Sequence, residues 1–211
     1  MRCALLLIGI LFQIGSVPDE AIAAVREQFV PILSVTTDER PTGSVVYVKA
    51  RFEARPDGEG LVLRFHDSPG RFSTLAQLST ARAIKQAAAS LGLSTDSWTI
   101  DLRVPYDGVT VSGESLSAMI SLTIAALAQG KTVQTGHVLT GTVKPDGAIG
   151  PVGGVPFKVQ AAKSARLRLV LIPQQQTEHR EQPEAESDMR ILAVRSIPEA
   201  LEALTGEADA D

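Results

Sequence analysis

The chain has 211 residues, of which 44% are hydrophobic and 21% are charged, and its formal net charge is −4. This length fits one domain, with or without an extension, and the composition favours a packed core over disorder. Acidic residues slightly outnumber basic ones, and nothing in the composition suggests the basic face of a nucleic-acid-binding protein, so no nucleic-acid partner is expected. The single cysteine, Cys3, cannot form a disulfide within the chain, and with no HExxH pattern we expect neither a metal site nor a cofactor.

The N-terminus carries a targeting pattern. Arg2 precedes a nearly continuous apolar run in the stretch MRCALLLIGILFQIG. The run is shorter than the roughly 20 apolar residues of a membrane span, and it has the character of a secretory signal. We therefore expect residues 1–23 to be a signal peptide or an N-terminal anchor, which predicts a periplasmic, extracellular or membrane-anchored protein rather than a cytoplasmic one. Residues 24–43 are predicted to be a connector, residues 44–206 the domain, and residues 207–211 a tail.

The first part of the domain is predicted to form strands followed by an amphipathic helix. Apolar and polar residues alternate in SVVYVKARFEA, which predicts a strand, and the turn residues PDGEG lead to LVLRFH, which we expect to be the second strand of a hairpin. Thr74 and Gln77 have the spacing of a capping box, and Gly92 is suited to end the helix. Between them, apolar residues recur at helical spacing: Leu75, Leu78, Ala81, Ile84, Ala88 and Leu91. The stretch WTIDLRVP predicts a further strand.

The second half of the domain alternates helices and strands. Residues 115–128 are apolar nearly all round, which predicts a buried helix that ends at Gly130. HVLTGTV predicts a strand, KPDGAIG a turn, and GGVPFKVQAAKSARL a helix with Pro156 in its first turn. RLVLIP and RILAV predict strands, the polar stretch QQQTEHREQPEAESD between them predicts a solvated loop, and IPEALEAL predicts the last helix. The order of these elements favours an α/β or α+β fold built as one domain, with about four helices.

Three serines surround the start of the predicted buried helix: Ser112, Ser115 and Ser117. A serine in this place is most often a helix N-cap. The same place also offers unpaired backbone N–H groups and the positive end of the helix dipole, which can hold an oxyanion. A nucleophilic serine also needs a base, and no G-x-S-x-G pattern marks one of the three as a nucleophile.

Histidine is the usual base, but none of the three histidines is favoured for this role. His66 and His137 fall on predicted strands, where a structural role is the common one, and His179 lies in the charged loop. Lysine is the other choice, provided that its pKa is lowered. Lys158 meets this condition, because it lies among apolar residues in the first turn of a predicted helix, where burial and the dipole both disfavour its charge. The alternative for Lys158 is an aliphatic stem over the core with its ammonium group in water.

Several blocks in this order resemble the proteolytic domain of Lon proteases, the Ser–Lys peptidases of family S16: GESLSAM, LTGTVKPDGAIGPVGGVPFKVQAA and RLVLIP. The resemblance covers about residues 44–206. It implies that Ser115 is the nucleophile, that Lys158, at the family's spacing, is its base, and that the Thr140 hydroxyl orients the lysine. It also implies mixed β-sheets, and an oxyanion hole for which the backbone N–H groups of Ser115 and Leu116 are candidates.

The sequence departs from the family pattern around the nucleophile. Glu114 precedes Ser115, and Ser117 lies two residues after it, which resembles the membrane-associated, archaeal-type branch of the family. Leu116 stands where relatives usually have a small residue, and Ser112 replaces a common acidic residue. A bulky Leu116 is expected to narrow the cleft around the nucleophile.

The resemblance implies a serine endopeptidase that cleaves polypeptides and assembles as a homo-oligomeric ring, such as a hexamer. No GxxxxGK[ST] pattern occurs in this sequence, because the GKT of residues 130–132 ends a predicted helix and position 125 is Ala125. We therefore expect proteolysis that does not use ATP within this chain, with a separate ATPase as a candidate partner. Two alternatives stay open: a catalytically inactive Lon-like scaffold or binding module, and a Ser–Lys esterase or amidase.

Overall fold

A computed structural model describes residues 25–36, 39–179 and 189–206. The predicted targeting segment at residues 1–23 and the tail at residues 207–211 lie outside this part of the chain. The strands are β1 (Val25–Val35), β2 (Gly43–Ala54), β3 (Val62–Phe65), β4 (Arg71–Phe72), β5 (Trp98–Arg103), β6 (Thr110–Val111), β7 (His137–Leu139), β8 (Thr142–Val143), β9 (Ile149–Gly150), β10 (Leu169–Pro173) and β11 (Arg190–Val194). The α-helices are α1 (Thr74–Ser90), α2 (Ser117–Ala128), α3 (Val155–Ser164) and α4 (Ile197–Thr205).

The larger sheet has four strands in the order β1-β2-β5-β3. Strand β2 lies inside the sheet, where it pairs antiparallel with β1 on one side and with β5 on the other. Strand β3 pairs parallel with β5. The expected hairpin between SVVYVKARFEA and LVLRFH is therefore wrong, because β1 and β5 occupy both edges of β2 and leave β3 one strand further out.

The connector predicted at residues 24–43 is instead a strand over most of its length. Strand β1 pairs with β2 along all 11 of its residues. Its second half is buried, with Val30 and Ile32 almost inaccessible to solvent. Pro31 is compatible with the strand because β1 lies at the edge of the sheet, where a missing N–H is tolerated. The apolar side chains of β1 are buried by elements far along the chain, so the local sequence did not reveal the strand.

Helix α1 forms where the sequence predicts it, but with a different cap and a different buried face. Ser73 caps the helix, and its hydroxyl accepts a hydrogen bond from Ala76 N at 3.2 Å. Leu75 and Leu78, which we expected to face the core, are 52% and 61% exposed. The buried residues are mainly small: Ala76, Ser79, Thr80, Ala83, Ile84, Ala87 and Ala88. Small side chains let α1 pack closely against α2, since the distance between two helices depends on the side chains at their contact.

Helix α2 is the centre of the core, as its all-round apolarity predicts. Every residue from 117 to 127 is buried. The helix packs against α1, α4 and the two strands β1 and β2 of the larger sheet. Gly130, with a φ of +76°, follows its C-terminus. The predicted start is two residues early, because Ser115 and Leu116 belong to the preceding turn.

A second, parallel sheet has the order β11-β10-β7, and its central strand β10 is buried throughout. The predicted strand HVLTGTV is split, since β7 ends at Leu139 and β8 pairs antiparallel with β9 across the KPDGA turn. The two residues of the break, Thr140 and Gly141, lie between the sheet and the start of α2.

The predicted fold class is confirmed: one α/β domain has parallel and antiparallel strand pairs and, in the part of the chain that the structure describes, four α-helices. None of these helices is both long enough and apolar enough to cross a membrane.

Candidate active site

An open cleft of about 670 Å³ lies where strand β1, the turn before α2 and the start of α3 meet. Residues 32–36 form one stretch of its lining, and residues 109–113 form another. Ser115 and Lys158 both line this cleft, although they belong to different elements. The fold therefore brings the two predicted catalytic residues to one solvent-accessible place.

Ser115 lies in the turn before α2 and does not cap that helix. The helix begins at Ser117, and the residue before it, Leu116, makes no side-chain capping bond. Ser117 N donates a hydrogen bond to Glu114 O at 3.0 Å, which closes the turn around Ser115. The Ser115 side chain is half-buried, and its hydroxyl has no hydrogen-bond partner within residues 25–36, 39–179 and 189–206. Ser115 is therefore not the structural N-cap that a serine in this place most often is.

The backbone N–H groups of Ser115 and Leu116 are also unpaired among the residues that the structure describes. The next two N–H groups, of Ser117 and Ala118, are already bonded to backbone carbonyls. Unpaired N–H groups ahead of a helix can stabilise a developing oxyanion. The side chain of Leu116 is only 1% exposed and belongs to the hydrophobic core, and it also contributes to the lining of the cleft that it was expected to narrow.

Lys158 is the fourth residue of α3 and is buried in the protein. Its side chain is 3% exposed, so the alternative of an ammonium group in water is wrong. Its Nζ donates a hydrogen bond to Thr140 Oγ1 at 3.0 Å, and it makes no salt bridge within the described ranges. Burial lowers the pKa of Lys158 from its usual 10.5 to about 8.

Only part of the expected apolar surrounding of Lys158 comes from its sequence neighbours. Val155 and Val159 are buried with it, whereas Phe157 is 42% exposed. The helix carrying these residues starts after Gly154, whose φ of +68° is in the left-handed region that suits glycine. Lys158 N bonds to Gly154 O at 3.1 Å, which fixes the lysine to the first turn of α3.

The break between β7 and β8 contacts both candidate catalytic residues. Thr140 continues the pairing of the parallel sheet, because its N–H bonds to Leu171 O at 3.1 Å, and its buried hydroxyl accepts the bond from Lys158. Gly141 N donates to Ser115 O at 3.1 Å, which holds the turn that carries the serine. The two adjacent residues thus connect the serine and the lysine through one rigid piece of backbone.

Gly141 has no room for a side chain. A Cβ atom there would lie 2.7 Å from Ile149 Cγ2, which is closer than real Cβ contacts. The carbonyl of Gly141 also accepts a hydrogen bond from Ala118 N at 3.3 Å, so its backbone bonds to both sides of the α2 start. In the sequence, Gly141 stands out only as part of the motif that contains LTG, so this role of the glycine was not predicted.

His66 and His137, which the sequence disfavours as bases, are not among the residues that line the cleft. His66 Nε2 is 3.1 Å from Asp101 Oδ1, on the larger sheet. His137 Nδ1 is 3.1 Å from Ala203 O, and burial lowers the pKa of His137. The side chain of His179 lies outside the described part of the chain. Among the described residues, no group of three or more His, Cys, Asp or Glu side chains is placed to hold a metal ion.

Comparison with known proteins shows which family the chain belongs to. Residues 71–206 match the family of the Lon protease (S16) C-terminal proteolytic domain. The chain is 30% identical over 172 residues to the peroxisomal Lon protease homolog 2 of Rattus norvegicus and 31% identical over 172 residues to that of Xenopus laevis. It is 25% identical over 169 residues to the Lon protease of Phenylobacterium zucineum.

Each of these alignments covers 76% of this chain but only 20% of the relative. The chain thus spans about a fifth of the length of the relatives that it matches. The matched range includes the Ser115 turn, the Thr140–Gly141 break and the start of α3. The chain therefore belongs to the family of the Lon protease (S16) C-terminal proteolytic domain.

Proposed function

We propose that this chain is a serine-type endopeptidase in which Ser115 is the nucleophile and Lys158 is the general base. The observation that carries this proposal is that one cleft holds a serine hydroxyl and a buried lysine, which have no hydrogen-bond partner and no counter-charge, respectively, among the described residues. A nucleophile and a base that share an accessible site are what acyl transfer requires. Family membership supports the same class of reaction.

In the proposed reaction, Lys158 acts first as a base and then as an acid in each of the two halves. Neutral Lys158 takes the proton from Ser115 Oγ, which attacks the scissile carbonyl carbon and forms a tetrahedral intermediate. The N–H groups of Ser115 and Leu116 stabilise its oxyanion, and one such donor typically lowers the barrier by about 3 kcal/mol. The Lys158 ammonium group then gives its proton to the leaving amine as the C–N bond breaks. In the second half, neutral Lys158 takes a proton from water, whose oxygen attacks the acyl carbon, and the lysine then returns that proton to Ser115 Oγ as the ester C–O bond breaks and the carboxyl product leaves.

The lowered pKa makes Lys158 usable as a base near neutral pH. With a pKa of about 8, roughly a tenth of the lysine side chains are neutral at pH 7. At its usual pKa the neutral fraction would be smaller by a factor of about 300. Thr140 Oγ1 accepts a hydrogen bond from Nζ and so orients the amine. Thr140 is therefore proposed as a positioning residue and not as a proton carrier.

The cleft suits an extended polypeptide substrate. Residues 32–36 of its lining continue along β1, the edge strand of the four-stranded sheet, and such an edge can bind an extended chain through its backbone. Several lining side chains are apolar: Ile32, Leu33, Val35, Val46, Val109 and Val111. We therefore propose polypeptides with apolar side chains near the scissile bond as substrates. Because the sequence contains no GxxxxGK[ST] pattern, we expect cleavage by this chain without added ATP.

The serine is tested by Ser115→Ala, which removes the nucleophile and should abolish cleavage of casein and of a fluorogenic peptide. Ser112→Ala is the matched control, since Ser112 lines the same cleft but is exposed and has no role in the proposal. We expect this control to keep wild-type activity. Wild-type turnover by Ser115→Ala would overturn the proposal.

The lysine is tested by Lys158→Ala, which removes the base and should likewise abolish cleavage. Lys144→Ala is the control, because Lys144 lies in the turn between β8 and β9 and not on the cleft. Normal turnover by Lys158→Ala would show that another group takes the serine proton.

A non-catalytic Lon-like scaffold is the alternative class of function. A fluorophosphonate probe separates the two, because it labels a serine only when the hydroxyl is activated. Labelling at Ser115, absent from Lys158→Ala, supports the peptidase. A folded wild-type protein without any label supports the scaffold.

Comparison of ester and peptide substrates of the same sequence distinguishes an esterase or amidase from an endopeptidase.

Assembly and location are further parts of the proposal. We propose a homo-oligomer, in the form of a ring, and export or membrane anchoring through residues 1–23, with a separate ATPase as a candidate partner. The molar mass in solution, measured by light scattering, tests the first point, and a monomer would contradict it. Fractionation of the producing cells tests the second, and a purely cytoplasmic protein with an intact N-terminus would contradict it.

A further inference from the structure

Gln176 binds the loop that leads into α3. It lies in the 3-10 segment after β10 (Gln174–His179), where the sequence analysis predicted a solvated loop. Val152 N donates a hydrogen bond to Gln176 Oε1 at 2.9 Å, and Gln176 Nε2 donates to Val152 O at 2.6 Å. One side-chain amide thus pairs both polar backbone groups of a single loop residue, as a neighbouring strand would.

The loop needs such a tether because two glycines follow Val152. Gly153 lines the cleft, and a Cβ atom built on it would meet nothing within 4 Å. Gly154 comes directly before α3, and its carbonyl accepts the hydrogen bond from Lys158 N. Adjacent glycines have more backbone freedom than any other pair of residues. Without an anchor next to them, the start of α3 could shift and carry Lys158 with it.

Three consecutive glutamines offer a comparison within the chain. The side chains of Gln174 and Gln175 have no hydrogen-bond partner in the residues that the structure describes, and Gln175 is exposed. Gln176 is half-buried and makes two bonds. The difference lies in the backbone, which places only Gln176 opposite Val152.

We propose that Gln176 is a positioning residue for the cleavage reaction. It holds Val152, and through Val152 it fixes the glycine pair and the first turn of α3 from which Lys158 projects. Gln176 itself is not among the residues that line the cleft. This inference rests on the proposed function of Lys158 as the base, and it adds a residue from a segment outside the matching catalytic motifs.

The test compares Gln176→Met with Gln175→Met. Methionine is close to glutamine in size but cannot pair with the Val152 backbone. We expect Gln176→Met to lower kcat by about tenfold with KM changed by less than about twofold, since displacement of a catalytic group mainly affects the chemical step. The apparent pKa of the kcat/KM profile should rise, because a looser Lys158 is more hydrated. Gln175→Met should keep the wild-type kcat, KM and pH profile.

A second variant keeps the test decisive if Gln176→Met does not fold. Gln176→Glu retains the acceptor for Val152 N but loses the donor to Val152 O, so we expect a smaller fall in kcat. Equal kinetics and equal pH profiles for a folded Gln176 variant and for Gln175→Met would overturn the inference.

Amide hydrogen exchange separates this inference from the proposed function. In the wild type the Val152 amide should be protected, and in Gln176→Met the amide of Val152 and those of the first turn of α3 should exchange faster. Fast exchange of Val152 in the wild type would overturn the tether. A wild type that neither cleaves peptides nor is labelled at Ser115 would instead overturn the peptidase, and with it the positioning role, while the exchange data still report on the tether.

Discussion

Lys158 is the residue on which the site depends most, because its environment both activates and destabilises it. Its amine is buried, bonds to a neutral hydroxyl and has no counter-charge among the described residues. A buried amine without an opposite charge favours its neutral form, which is the form that can act as a base. The same burial is unfavourable for folding at any pH where the amine is charged.

The rate of cleavage should therefore depend on pH through Lys158. We expect kcat/KM to rise with pH along a curve with an apparent pKa of about 8, and to fall about tenfold per pH unit well below that value, because only the neutral amine can take the serine proton. Initial rates between about pH 6 and pH 9.5 measure this, with circular dichroism at each pH to show that the protein stays folded. A profile that is flat between about pH 7 and pH 9 would contradict it.

Replacement of Lys158 should increase the free energy of unfolding near neutral pH, although it removes the base that cleavage requires. The folded-state pKa lies below the unfolded value, so between about pH 8 and 10.5 the unfolded state binds more protons and stability rises with pH. At pH 7 the buried charge costs about 3 kcal/mol of unfolding free energy. Lys158→Met removes this cost but leaves the Thr140 hydroxyl without its donor, a loss of about 1 kcal/mol.

We therefore expect Lys158→Met to raise the free energy of unfolding by about 2 kcal/mol at pH 7, and to lose this advantage by about pH 10.5. Urea denaturation at both pH values measures it. Lys144→Met is the control and should change stability little at either pH. If Lys158→Met were less stable than the wild type at pH 7, burial of the charged amine would not lower the free energy of unfolding as argued.

At the scale of elements, the site is held together by the break between β7 and β8. Thr140 N still bonds to Leu171 O of the parallel sheet, but the backbone of Gly141 turns away and bonds to Ser115 O and Ala118 N. This places the start of α2 next to the sheet, and the Thr140 side chain next to α3. Close packing against Ile149 requires a glycine at position 141.

Gly141→Ala should accordingly destabilise the protein and lower its activity. The added methyl group would lie 2.7 Å from Ile149 Cγ2, so the backbone at position 141 or the buried Ile149 side chain must shift, at a cost of about 1–3 kcal/mol of unfolding free energy. Because Gly141 N holds Ser115 O, the same shift should lower kcat. Chemical denaturation and peptide cleavage measure the two effects. Gly153→Ala, with open space around its Cβ, is the control for stability, and equal stability of the two variants would contradict the packing argument.

At the scale of the whole molecule, the cleft exists because strand β1 joins the domain. Residues 32–36 line the cleft, and β1 pairs along its full length with β2. The other lining residues come from the turn before α2, the start of α3 and the segment around β6. The site is therefore complete only when β1, at the start of the described chain, has packed together with segments that follow much later in the sequence.

Removal of β1 should abolish both the fold and the cleavage. A variant that lacks residues 1–36 loses the pairing partner of β2 and the buried side chains of Val30 and Ile32, so we expect it to lose cooperative thermal unfolding. A variant that lacks only residues 1–24 retains β1, and we expect it to unfold cooperatively and to cleave peptides. Circular dichroism melts and cleavage assays measure both, and a folded, active protein without residues 1–36 would contradict this role of β1.

The elements with strong local signals could be predicted from the sequence. Helix α2 is apolar on every face and β10 is a continuous apolar run, and both are buried as expected. Lys158 is shielded from water, as its apolar sequence neighbours predict, although Val159 is buried with it and Phe157 is not. The pairing of Ser115 with Lys158 came from a family resemblance and stays a prediction, which the shared cleft supports.

Tertiary structure alone decided the features that depend on distant parts of the chain. The segment of β1, in which polar residues and a proline interrupt the apolar ones, becomes a strand because β2 offers a free edge. Helix α1 turns its small residues inward because α2 lies against them. Neither partner is visible in a local pattern. The contacts of Gly141 and Gln176 likewise join residues that the chain brings together only on folding, so periodicity and spacing could not identify them. The sequence by itself determined which segments are apolar enough to be buried, and the packing decided which polar groups face each other in the cleft.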